Sequence, residues 1–138
     1  MTRRIVLDAS AAVHVVLRTE HALSLVAALE RASLVLAPDL FHSEVANSFW
    51  KYVRAEELSL DEAIEYYEEA VALVDAFHPA SDLAIQALTA AVQSRHPVYD
   101  HLYAALARVQ GCATLTMDRG FAGLLKEAEL AVLCPLLE

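Results

Sequence analysis

Short, almost uninterrupted apolar runs alternate along this chain with longer stretches whose apolar residues recur at helical spacing, and that alternation leaves few folds open. The runs read as strands are Arg3–Leu7, Ser33–Ala37, Val74–Phe77, Cys112–Thr116 and Ala131–Cys134. The helical stretches are Ala9–Leu17, Ala22–Arg31, a segment from Asp39 through Glu44 toward Arg54, Leu60–Leu73, Asp82–Arg95, Tyr99–Val109 and Phe121–Ala128. Ser10 and Asp39 are read as helix N-caps, Pro38 and Pro97 as breaks, and Gly111 as a helix C-terminal signal. Strands without a polar face must be covered on both sides. The expected fold is therefore α/β, a three-layer α/β/α sandwich around a mostly parallel sheet. With 138 residues and no linker, repeat or low-complexity tract, a single domain over residues 1–138 is expected.

Composition narrows the setting. Residues with apolar side chains make up 57% and the mean hydropathy is +0.39, enough to build a core and contrary to disorder. No apolar run nears the roughly 20 residues of a membrane span. Only Ile5 to Leu7 are apolar before Asp8, so no secretory leader is expected and the cytoplasm is the expected location. Cys112 and Cys134 are read as free thiols. Three glycines supply no phosphate-cradling loop, and six histidines without HxH or HExxH spacing argue against zinc. The net charge of −9 departs from the basic surface of a simple nucleic-acid binder. It implies either that some carboxylates hold cations or that a solvated acidic face, such as Asp61 to Glu69, serves solubility or a basic partner.

In open α/β sheets, ligands bind beyond the carboxyl ends of the strands. Asp8 follows the first strand, and Asp118 follows the strand ending at Thr116. Glu44 and Asp100 stand near the starts of helices, where carboxylates are favoured. Four acids from four distant segments are thus positioned to converge. Each also has an ordinary reading: Asp8 and Asp118 as turn residues or N-caps, Asp100 as a helix-start charge. Glu44 is the most telling, since Phe41, Val45, Phe49 and Trp50 surround it and a buried lone carboxylate is costly unless paired or metal-bound.

Four segments carry a family resemblance: Val6-Leu7-Asp8-Ala9-Ser10-Ala11, Ser43-Glu44-Val45-Ala46-Asn47, Tyr99-Asp100-His101-Leu102-Tyr103-Ala104-Ala105-Leu106-Ala107 and Leu115-Thr116-Met117-Asp118-Arg119-Gly120-Phe121. In order and spacing they resemble the motifs of PIN-domain ribonucleases, most closely the VapC toxins of toxin–antitoxin pairs. The resemblance implies an Mg²⁺- or Mn²⁺-dependent endoribonuclease with Asp8, Glu44, Asp100 and Asp118 as its acidic quartet. It further implies a homodimer and a cognate antitoxin, with Asn47 and Thr116 at accompanying polar positions. His101 departs from the small residue usual after the third acid.

The chemistry agrees with that resemblance. Phosphodiester cleavage needs a positioned water and charge stabilisation, which divalent ions supply. Oxygen ligands suit Mg²⁺ and Mn²⁺. Asp8, Glu44 and Asp100 are expected to bind metal, and Asp118 to hold a second ion or orient water. Crowding should raise the pKa of at least one acid. Asn47, Ser10 and Thr116 are read either as supports for these acids or as ordinary surface, capping and packing residues. Lys51, Arg54 and Arg119 are the candidate phosphate contacts, against a reading as solvated charges. His42 and His101 lie nearest the acids and are assigned packing or surface roles. Trp50, Tyr66 and Tyr67 are assigned to core or interface, and Val13, Val16 and Leu17 to core. Competing functions are a stand-alone PIN nuclease for RNA processing and a non-catalytic binding module. A dehalogenase-like phosphatase would need a second Asp where Ser10 stands, and the acid pattern of a phospho-receiver is missing.

Overall fold

The computed structural model describes residues 3–137. Five strands form one sheet in the order β3-β2-β1-β4-β5: β1 (Arg4–Leu7), β2 (Leu34–Pro38), β3 (Ala76–His78), β4 (Ala113–Leu115) and β5 (Val132–Leu133). Every pairing is parallel, including Val6 opposite both Leu36 and Thr114. Ile5, Val6 and Leu7 are all buried, as a strand covered on both faces requires.

Seven helices supply that cover: α1 (Ala9–Val16), α2 (Ala22–Arg31), α3 (Leu40–Arg54), α4 (Leu60–Ala72), α5 (Ala80–Ser94), α6 (Val98–Gln110) and α7 (Arg119–Glu127). α1 packs on α2, α3 and α4. α5 packs on α6, which lies across β1, β2 and β4. The seam of α6 is dense, with seven consecutive buried residues from His101 to Ala107. Val13 and Val16 are buried in the core, Leu17 packs against it, and Tyr66 and Tyr67 flank it. No helix among the described residues is long and apolar enough to cross a membrane.

The helix ends show where local sequence is read differently in three dimensions. Ser10 does not cap α1; the N-cap position is Asp8, and the Ser10 hydroxyl is used elsewhere. Asp39 does not cap α3 through its side chain. Its Oδ1 instead accepts from the Ala80 N–H at 2.9 Å, capping α5, because β2 and β3 end side by side. α4 begins with a capping box: Ser59 Oγ accepts from the Glu62 N–H, and Glu62 Oε1 from the Ser59 N–H. Gly111 ends α6 at φ +62°, in the left-handed region that glycine enters without a Cβ penalty.

Candidate active site

From β1 the chain steps outward through β2 to β3, then returns to the other side of β1 as β4. The order reverses between β1 and β4, which opens a crevice at their carboxyl ends. Asp8 directly follows β1, and its N–H donates to Leu115 O at the end of β4 at 3.0 Å. The carboxylate is 6% exposed. Its Oδ2 accepts from Ser10 Oγ at 2.7 Å and from Thr116 Oγ1 at 2.6 Å. Each hydroxyl gives its proton to Asp8 and its lone pair to the backbone: Met117 N–H donates to Ser10 Oγ, and Asp118 N–H to Thr116 Oγ1, both at 3.0 Å. The two hydroxyls thereby stitch the end of β1 to the turn after β4. Oδ1 receives no hydrogen bond from a described residue. Burial pushes the Asp8 pKa up to about 6 despite both donors, and Asp100 and Asp118 add repulsion.

Glu44 sits half-buried in the second turn of α3, helped there by buried Phe41, Val45 and Phe49. Its Oε1 accepts from the hydroxyl of Tyr103 at 2.6 Å. Burial raises its pKa; the Tyr103 bond opposes that, and Asp8 and Asp100 reinforce it. Tyr103 is fully buried, and burial together with the charges of Asp8 and Glu44 holds its phenol well above the ordinary range. It therefore remains a donor to Glu44 throughout the physiological range. Asp100 lies half-buried in the first turn of α6, with its Oδ2 2.8 Å from His96 Nε2. α6 leads through Gly111 and Cys112 into β4, so its start is directed back toward the carboxyl edge of the sheet.

Asp118 differs from the other three. It is exposed and caps α7, its Oδ1 accepting from the Phe121 N–H at 3.1 Å. The structure thus draws Asp8, Glu44 and Asp100 into mutual electrostatic contact and sets Asp118 at the rim, coupled to Asp8. No three His, Cys, Asp or Glu among the described residues close around an ion by themselves.

The remaining candidates divide. Ser10 and Thr116 touch Asp8 directly. Asn47 is exposed one turn beyond Glu44 without a hydrogen bond to a described residue. Lys51 and Arg119 are exposed, and the Arg54 guanidinium lies over the Trp50 ring at 4.5 Å. Trp50 is 53% exposed, so of the core and interface roles expected for it the core one does not hold: α3 turns that residue outward under Arg54. His42 packs on Phe77. His101 is buried against Ser94, Nε2 to Oγ 2.7 Å, and burial first, then His96, lowers its pKa. The histidine in contact with an acid is His96, which the sequence reading passed over, as it did Tyr103. Tyr103 carried a signal, standing three residues after Asp100 on one face of α6, whereas His96 stands before Pro97 in the turn that leads into α6.

The PIN domain family model matches residues 5–125. The chain is 33% identical over 121 residues to Ribonuclease VapC3 of Pyrobaculum aerophilum, covering 86% of this chain and 92% of that protein. Among solved structures, PAE2754 from Pyrobaculum aerophilum superposes with a TM-score of 0.72 at 20% identity, covering 94% of this chain and 83% of that one. The VapBC2 complex from Rickettsia felis, bound to a DNA fragment from its promoter, gives a TM-score of 0.64 at 10% identity over 95% of this chain and 98% of that one. With its acids gathered at the crossover of a five-stranded parallel sheet, the chain belongs to the PIN domain family.

Proposed function

We propose that the chain is an Mg²⁺- or Mn²⁺-dependent endoribonuclease and the toxin of a toxin–antitoxin pair. The observation that carries the reading is Asp8: a buried carboxylate at the crossover, one oxygen fixed by two hydroxyls and the other open, with Glu44 and Asp100 beside it. The donor set fits a hard cation, since every candidate ligand is an oxygen. Three acids that repel one another, with Asp8 and Glu44 held above their ordinary pKa by burial, are what a divalent ion would relieve.

When bound, the ion supplies an activated water and positive charge against the phosphate in the transition state. The protein's own part is positional. Ser10 and Thr116 fix the Asp8 carboxylate, Tyr103 holds Glu44, and His96 holds Asp100, as supports of metal-binding carboxylates do. Asp118, exposed at the rim, orients water toward the phosphate through its uncapped oxygen, and Arg119 beside it contacts the phosphate. The toxin role and a protein partner draw on the ribonuclease and VapBC relatives, while a cytoplasmic location, a homodimer and an antitoxin that covers the site draw on the family resemblance, all as part of this proposal.

Purified protein is expected to cleave single-stranded RNA with Mg²⁺ or Mn²⁺ and to stop when EDTA is added. Mn²⁺ should also raise its melting temperature. Full cleavage in EDTA would overturn the reading.

A further inference from the structure

The other end of the same sheet has the opposite character. A cleft of about 480 Å³ runs along the sheet from the amino end of β1, lined by residues of β1, β4 and β5 that include Leu115 and Leu133 and by residues of α2, with its arginines at the amino end. Arg3, Arg4 and Arg31 line it, with the Ser24 hydroxyl beside them. Three of the chain's ten Lys and Arg residues meet there, and no Asp or Glu among the described residues lines the cleft. No described residue pairs any of the three arginines in a salt bridge. The Arg4 Nη1 donates to Gln110 Oε1 at 2.7 Å, which fixes that guanidinium and leaves its other N–H groups available. All three arginines are exposed. In a chain of net charge −9, gathering unpaired guanidiniums on an apolar floor focuses positive potential at one point. Guanidiniums with free N–H forks match phosphate oxygens.

We propose that this cleft binds phosphates of the RNA strand away from the bond that is cut. The assignment of RNA rests on the nuclease reading above. Arg4 begins β1 and Asp8 follows its end, so the two lie roughly 13 Å apart at about 3.3 Å per residue. A phosphate seated on the arginines is therefore not the one held by the acids. The cleft anchors the strand's flanking part, and it explains how an acidic protein retains a polyanion.

The test compares the wild-type chain with the double variant Arg3→Gln/Arg31→Gln. Binding of a long single-stranded RNA is measured in EDTA across a salt series, and cleavage of a dinucleotide is measured with Mn²⁺. Each phosphate contact on a single strand contributes about 0.7 to the slope of log affinity against log salt. The variant should lower that slope by about 1.4 and weaken binding roughly 25-fold at about 0.1 M salt, while dinucleotide cleavage stays unchanged. An unchanged slope and affinity would overturn the proposal, as would an equal loss with the dinucleotide. Competition by poly-glutamate as effective as by RNA would also overturn it, in favour of an acidic protein segment. A changed slope in a protein that cleaves no RNA would support the cleft and remove the nuclease reading. Cleavage with an unchanged slope would remove the cleft alone.

Discussion

Asp8 and Asp118 follow adjacent strands of one parallel sheet, yet the fold gives the two carboxylates opposite surroundings. Asp8 comes straight off the central strand, beneath α1, and is buried with two hydroxyl donors on one oxygen. Asp118 comes three residues after Leu115, clear of the covered sheet, and its Oδ1 is occupied in capping α7. Standing after a strand therefore does not fix a carboxylate's role. Burial makes the Asp8 charge costly and available to a cation, whereas exposure lets water share the Asp118 charge.

Activity gives the widest separation between the two. A metal-binding carboxylate contributes several kcal/mol to the transition state, so Asp8→Asn should lower kcat on the order of 10³-fold. Asp118→Asn should cost roughly 10- to 100-fold, as for residues that support a site. Equal losses in a steady-state RNA cleavage assay would break the distinction. Stability against pH comes next. The folded pKa of Asp8, about 6, lies above the 3.8 of an unburied aspartate. Its contribution is thus fully present below pH 3.8 and is lost as pH rises through about 6, a change of about 3 kcal/mol. In EDTA, urea unfolding of wild type minus Asp8→Asn should show wild type losing ground between those limits, and a flat difference would contradict the burial argument.

Tyr103→Phe tests a support rather than a ligand. It should reduce kcat roughly 10- to 100-fold and weaken Mn²⁺ binding, while unfolding shifts by only about 1 kcal/mol. The smallest effect belongs to the cap. Asp118→Ala should cost about 1 kcal/mol of stability, whereas Asp118→Asn, which keeps a capping oxygen, should stay near wild type by thermal melting.

Much of the fold was legible in the sequence because strand burial and helix periodicity are written residue by residue. The five apolar runs and seven helical stretches are all present, shifted at their ends: the β4 run shortens to Ala113–Leu115, and α5 begins at Ala80, just after Pro79. Capping was less legible, since an Asp or Ser offers the same side chain to whichever N–H is nearest. Asp39 serves α5 because β3 lies beside β2, a fact absent from its neighbours in the chain. Tyr103 and His96 were missed for a related reason. Tyr103 shares a helix face with Asp100 and His96 stands in the turn before α6, but nothing local says that His96 turns back to Asp100 or that Tyr103 reaches Glu44, 59 positions away.

By itself, then, the sequence determined the alternation of elements, the parallel sheet and the four acids at strand and helix ends, because these follow from local periodicity and residue chemistry. Only the tertiary structure decided which acids are buried together, which one is an exposed cap, and where arginines gather with no acidic partner among the described residues. Those outcomes depend on desolvation and on contacts between segments far apart in the chain, and both are properties of the packed sheet alone.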